Sequence, residues 1–422
     1  MGVGLADRIA RFGSLRFDEY VEHALYDPTD GFFGAVGSVD VRVDDPDDPG
    51  FVVDRVDRSG TDVSRPGRAG SAGRAGSAGQ AGRAGRAGGD FITSPEVGPL
   101  FGAVVARYLD ARWEALDRPD PFVVVEAGAG RGALAISVLA SSPRCAPALR
   151  YVMVERSDGL RARQADHLAL AHPFDVLGPS GDADSGVAAP AAGTGPLVCS
   201  LPGLPVEAVE GVILGNELLD NVPFRLFERG AAGWDEIRVG LDSGRLAELL
   251  VPADADVVER LDQLTPDARP GARVPLQDAA VEWLRTALGV LRRGSVLVID
   301  YATSTTASLA DRPVEEWLRT YRGHERGSGP LDDVGAQDIT VDVCIDQLAA
   351  AVGAPASDLS QADWLRRHGI EGMVAEGRRI WDERAGVGDL AALRARSRAV
   401  EAEALCDPTG LGAFRVLDWH TP

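Results

Sequence analysis

The sequence predicts an α/β fold: a Rossmann-like, mostly parallel sheet with helices on both faces and an extra helical and antiparallel subdomain. Three observations carry this prediction. Residues 122–139, FVVVEAGAGRGALAISVL, pass from a valine-rich strand through a glycine turn into an apolar helix, the first half of a βαβ unit. Short apolar runs at 151–155, 211–215 and 294–301 recur between helical stretches, as the buried strands of such a sheet do. Residues 224–228, 234–239 and 246–251 alternate in character with turns between them and read as antiparallel strands.

Taken in order, residues 15–26 carry apolar side chains at Phe17, Val21, Ala24 and Leu25, one face of a helix that stops at Asp27-Pro28. Asp30-Gly31 makes a turn and Phe32-Phe33-Gly34 follow. Residues 40–48 are acidic and proline-broken, and 65–89 are almost wholly Gly, Ala, Arg and Ser. A stretch without large apolar residues cannot offset its ordering entropy. Residues 35–88 are therefore expected to be a disordered insertion between an N-terminal helical segment, 1–34, and the main domain, 89–422. The Arg-Ala-Gly repeats in it suit a nucleic-acid tether or a methylation target, but repeat expansion of a loop is the simpler reading.

Order is expected to resume at Gly89-Asp90-Phe91-Ile92-Thr93-Ser94-Pro95-Glu96, with Ser94 as N-cap, Pro95 at the first helical position and the helix running to about 116. Residues 157–170, 276–291, 361–369 and 390–404 read as helices, 413–417 as a last strand, and 178–195 as a second low-complexity loop. Residues 321–340 read as irregular, with His324 and Asp338 as their reactive groups and the lone histidine more often structural than catalytic.

Composition narrows the class. The chain has 422 residues, 45% hydrophobic, which suits a soluble globular protein. No apolar run approaches the roughly 20 residues of a membrane span, and the N-terminal stretch lacks the apolar core of a secretory signal. Cys145, Cys199, Cys344 and Cys406 are widely spaced without a C-x-x-C pair. That argues against zinc or a disulfide framework and for a reducing cytoplasm. A net charge of −21 repels nucleic-acid phosphates and draws basic partners.

The glycine turn defines the candidate site. Gly128, Gly130 and Ala133 satisfy the dinucleotide pattern G-x-G-x-x-A, while Gly128, Gly130 and Gly132 satisfy the G-x-G-x-G of S-adenosylmethionine sites. Glu155 ends the next strand, where a carboxylate accepts both hydroxyls of a ribose; either cofactor has that diol. Glu126, ending the first strand, suits a methyltransferase, facing the cofactor's cationic end or ordering the loop; its bland reading is a solvated strand end. After 211–215 come Asn216-Glu217-Leu218-Leu219-Asp220. Ligands of parallel sheets bind beyond the strands' carboxyl ends, so Asn216, Glu217 and Asp220 are expected to cradle a cationic nitrogen and accept its proton. The alternative is that they cap a helix. Asp300 and Tyr301 end a further strand on the same side.

The ordered motifs FDEYVEHALYDPTDGFF, GDFITSPEVGPLFG, EAGAGRG, VERSDGLRARQ, GNELLDNVP, VLVIDYA and CDPTGLGAFRVL together resemble the MidA family of class I methyltransferases, across most of the chain outside its two insertions. The resemblance implies a seven-stranded methyltransferase sheet and S-adenosyl-L-methionine held by Gly128, Gly130, Gly132 and Glu155. It also implies cofactor or substrate contacts at Asp90, Thr93, Ser94 and Glu96. The family's arginine-modifying branch implies a protein arginine as acceptor, in a respiratory-complex-like subunit; charge and composition point to no nucleic acid and no membrane as partners. Two positions depart from the family pattern: Ala129 replaces a proline of the glycine loop, and Asp342 replaces the histidine of a D-L-T-x-H segment. The expected activity is a protein arginine methyltransferase. The alternatives are a noncatalytic assembly or scaffold protein that keeps the pocket, and an NAD(P)-dependent oxidoreductase.

Overall fold

The computed structural model describes residues 4–34, 93–178, 192–206, 208–322, 325–387 and 389–422. The expected insertion, Asp90, His324 and most of the 178–195 loop lie outside these residues.

The strands run, in chain order, β1 Phe122–Ala127, β2 Leu149–Val154, β3 Leu197–Leu201, β4 Val209–Asn216, β5 Arg225–Arg229, β6 Trp234–Asp242, β7 Arg245–Pro252, β8 Arg273–Leu276, β9 Leu291–Asp300, β10 Leu318–Arg322, β11 Asp338–Val341, β12 Ser357–Ser360 and β13 Arg415–Thr421. The main sheet has seven strands in the order β12-β13-β9-β4-β1-β2-β3. From β9 to β3 neighbours are parallel, whereas β13 joins β9 and β12 joins β13 antiparallel. The chain reverses its direction across the sheet between β1 and β4, the switch point at which such sheets open a ligand crevice.

Strand periodicity separates the two faces of this sheet. Val124, Tyr151, Val212 and Leu297 pack with Leu134, Val138 and the helix Pro99–Ala115. Val123, Val125, Val152, Ile213 and Val298 pack on the other face with Val281 and Leu284 of the helix Asp278–Val290. Successive side chains point to opposite faces, and both faces are covered.

The antiparallel subdomain joins β6 to β5, β5 to β8 and β6 to β7. Its core holds Phe224, Leu226, Ile237 and Val274 together with Phe17, Tyr20 and Leu25 of the helix Phe17–Tyr26. The helix Phe17–Tyr26 thus contributes to the subdomain's core. Residues 321–340, expected to be irregular, contribute to the pair β10–β11, with Tyr321 opposite Asp338. The helix Ile370–Arg384 went unread in the sequence; its glycines at 372 and 377 weaken the helical signal.

Two boundaries shift. The N-cap is Thr93, which forms a capping box with Glu96, and the helix breaks at Gly98 before resuming at Pro99. In the glycine loop the Ala129 N–H donates to the Val154 carbonyl at 3.0 Å. The family's proline could not make that bond.

Candidate functional site

The strand ends enclose a cavity of about 740 Å³ between the main sheet and the subdomain. Of the sequence-nominated residues, Thr93, Gly128, Gly130, Glu155 and Glu217 line it. Asp338, named in the sequence as a reactive group, lines it too, and the structure adds Tyr26, Phe33, Arg156, Asn221 and Trp283.

The loop is shaped by local backbone demands. Gly130 has φ +53°, a left-handed conformation that costs other residues about 1–2 kcal/mol, and no heavy atom lies within 4 Å of where its Cβ would stand. A Cβ on Gly128 would come within 2.9 Å of the Leu218 side chain. Gly132, also left-handed, is the N-cap of the helix Ala133–Ala140 and sits behind the cavity wall, its notional Cβ 3.0 Å from Met153 Sδ.

Glu155 is buried, and both its oxygens accept backbone protons. Gly130 N–H donates at 2.9 Å and Ser157 N–H at 2.7 Å. A carboxylate has about four acceptor positions, so two remain for a ribose diol. The same group therefore fixes the loop and faces the cavity. Glu126, by contrast, does not line the cavity. The Tyr151 hydroxyl donates to it at 2.7 Å, and the amide of Ala135 supports it from the helix start. Burial pushes its carboxyl up to about 7, against the lowering effect of Tyr151. Of its two expected roles, ordering the loop is the one this placement allows.

Glu217 follows β4 with φ +49°, an uncommon conformation for a non-glycine residue, held by its N–H donating to the Ile299 carbonyl at 2.8 Å. Its Oε1 accepts from Ser94 N–H at 2.9 Å and from Asn216 Nδ2 at 3.1 Å. Its Oε2 and the Asn216 Oδ1 are buried without a hydrogen-bond partner. Burial raises the Glu217 carboxyl to about 8, with the charge of Asp220 adding to it and the Ser94 N–H opposing it.

Several nominated residues fall elsewhere. Ser94 is fully buried, its hydroxyl donating to Gln361 at 3.1 Å, so it acts on the site through its backbone N–H. Glu96 is exposed and accepts from Thr93 N–H, a helix-capping contact outside the cavity. Asp220 lies fully buried on the 3₁₀ turn Leu219–Asn221 and does not line the cavity. Burial raises its carboxyl to about 7 despite the charge of Arg319. Asp300 fixes that turn: its Oδ2 accepts from the N–H groups of Leu218, Leu219 and Asp220 at 3.1, 2.8 and 3.3 Å. Asp342, where the family pattern has histidine, pairs with Arg319 at 2.7 Å and Arg312 at 3.1 Å.

The arrangement suits a nucleoside with a charged tail. An open glycine backbone and the spare acceptor capacity of Glu155 lie at one part of the cavity wall, and a carboxyl oxygen of Glu217 without a hydrogen-bond partner lies at another. Among the described residues no cluster of His, Cys, Asp and Glu could hold a metal, and no helix is long and apolar enough to cross a membrane.

Comparison with known proteins agrees with this geometry. Residues 104–360 match the family described as "Putative S-adenosyl-L-methionine-dependent methyltransferase". The mouse mitochondrial protein arginine methyltransferase NDUFAF7 is 27% identical over 311 residues, 67% of this chain and 65% of its own length. Its Drosophila melanogaster homologue is 40% identical over 86 residues, 20% of each chain. Among solved structures, a Burkholderia thailandensis protein bound to S-adenosyl-homocysteine is 26% identical, with a TM-score of 0.70 over 99% of this chain and 90% of that one. The chain belongs to the MidA-like family of S-adenosylmethionine-dependent methyltransferases.

Proposed function

We propose that this methyltransferase acts on a protein arginine, with Glu217 receiving the acceptor guanidinium. The observation that carries the reading is the Glu217 Oε2, buried, anionic when ionised, and without a hydrogen-bond donor. A guanidinium supplies planar donors and a positive charge together. The names of the mouse and fly relatives support the same acceptor. S-adenosylmethionine, held by the Gly128–Gly130 backbone and Glu155, supplies an electrophilic methyl group. Thr93 lies at the same wall.

Glu217 has two tasks in this scheme. Before transfer it orients a guanidinium nitrogen, and alignment of that kind supplies much of the rate. During transfer it takes the proton the nitrogen sheds. Its raised pKa, about 8, suits a proton acceptor working near neutral pH once a cation lies beside it. Ser94 N–H and the Asn216 amide keep the carboxylate facing the cavity.

The protein substrate is expected to present its arginine on a basic segment, in keeping with the net charge of −21. A reducing compartment such as the cytoplasm is proposed from the free thiols of Cys145, Cys199, Cys344 and Cys406. The test is to incubate the chain with a protein extract and S-adenosylmethionine labelled in its methyl group, then hydrolyse the products and separate the amino acids. Label in methylated arginine supports the reading; label confined to lysine or carboxylate derivatives, or none, refutes it.

A further inference from the structure

The cavity carries a further carboxylate, Asp338, the first residue of the D-L-T-x-H segment. Asp338 lines the same cavity as Glu217 but comes from the β10–β11 pair, more than a hundred residues later. It is 6% exposed. Its Oδ1 accepts from Asn221 Nδ2 at 2.8 Å, and that amide also donates to the Ile339 carbonyl at 3.1 Å. The Tyr26 hydroxyl donates to the Asn221 carbonyl at 3.1 Å. Three distant segments therefore converge to hold one acidic side chain at the cavity wall. Asp220, the carboxylate the sequence nominated for this place, is fully buried and does not line the cavity.

Charge balance gives this placement a purpose. A guanidinium and a sulfonium bring two positive charges into one cavity. Of its other lining carboxylates, Glu155 holds the glycine loop, Asp18 pairs with Arg16, Glu19 accepts the Arg16 N–H, Glu22 pairs with Arg156 and Asp278 with Arg260, so Glu217 alone would leave one charge uncompensated. Buried charge without a counter-ion is costly. We propose that Asp338 is a further catalytic residue, the second carboxylate that touches the acceptor guanidinium together with Glu217, and that Asn221 is its positioning residue. This rests on the arginine reading above.

The step balances with two carboxylates. A guanidinium nitrogen forms a bond to the methyl carbon as the carbon–sulfur bond breaks. Sulfur keeps the electron pair and leaves as neutral S-adenosylhomocysteine. The nitrogen's surplus proton goes to one carboxylate, and the other stays ionised beside the methylated guanidinium. Net charge over these groups is zero before and after.

The groups facing Asp338 are Asp220, Asn221, Tyr26 and, across the strand pair, Tyr321; Asp220 in turn faces Arg319. Burial first, then the charge of Asp220, raises the Asp338 carboxyl to about 8. At pH 7 Asp338 and Glu217 both start mostly protonated, and a bound guanidinium favours their ionised forms.

The test uses the intact chain saturated with an S-adenosylmethionine analogue in which an ammonium group replaces the sulfonium, and titrated with N-acetyl-arginine amide. Calorimetry at pH 7 in two buffers of different ionisation enthalpy counts the protons released. Asp338→Asn keeps an oxygen for Asn221 and should fold normally, which unchanged S-adenosylhomocysteine affinity verifies. The variant is expected to release about one proton fewer than the natural chain and to bind the probe about 10- to 100-fold more weakly. Asp338→Glu should restore part of both. Proton release and affinity equal to those of the natural chain would overturn the role of Asp338 and leave the arginine reading standing. No binding of the probe by the natural chain would overturn the arginine reading itself.

Discussion

Replacing Glu217 by Gln tests the proposed acceptor contact apart from the cofactor contacts. The amide keeps an oxygen for Ser94 N–H, so the local geometry is preserved, but the charge facing the acceptor is lost. A hydrogen bond to a charged group contributes about 1.5–3 kcal/mol, so kcat/KM for an arginine substrate should fall about ten- to a hundredfold. Affinity for S-adenosylhomocysteine should not change. Stability should move the opposite way. Burial raises the Glu217 carboxyl from 4.5 to about 8, so its contribution to stability is full below pH 4.5 and is lost as pH rises through 8. Glutamine does not titrate. Relative to the natural chain, the variant should therefore gain about 2 kcal/mol between pH 6 and pH 8. Urea unfolding at both pH values measures the gain, and steady-state kinetics measure the loss. Unchanged kcat/KM, or a stability difference independent of pH, would refute the argument.

Two other substitutions probe the supporting structure. Glu155→Ala removes the acceptor for Gly130 N–H and Ser157 N–H, and S-adenosylmethionine affinity measured by calorimetry should drop about tenfold or more; normal binding by the folded variant would remove Glu155 from the cofactor site. Asp342→Asn strips the half-buried Arg319 of its ionic partner, and a loss of about 3 kcal/mol in unfolding free energy is expected, whereas a loss below about 1 kcal/mol would make the pair dispensable.

The glycine loop was legible in the sequence because its demands are local. A strand, three glycines and a helix follow one another, and the left-handed turns need no distant partner. Glu217 was legible as the residue just beyond a parallel strand. Its neighbours were not, because a contiguous run does not face one way: the turn Leu219–Asn221, pinned by Asp300, rotates Asp220 into the interior. Ser94 and Glu96 moved for a similar reason. A one-residue shift of the N-cap buries Ser94 and leaves Glu96 bonded to Thr93. Glu126 occupies a strand position covered by the helix start, and Tyr151, its donor, is one strand away. Asp338 depends on the pairing of β10 with β11, and Tyr26 and Phe33 on an N-terminal segment packed with the subdomain. Contacts of that range leave no periodic trace in the chain.

On the proposed function, one cavity holds a nucleoside at its glycine loop and a guanidinium at Glu217. A compound joining 5′-adenosyl to an alkylguanidine probes both at once, by calorimetric titration against S-adenosylhomocysteine as reference. The natural chain should bind the joined compound more tightly, and Glu217→Gln should abolish that advantage while binding S-adenosylhomocysteine as before. Equal affinity for the two ligands in the natural chain, or an advantage that survives in Glu217→Gln, would contradict it.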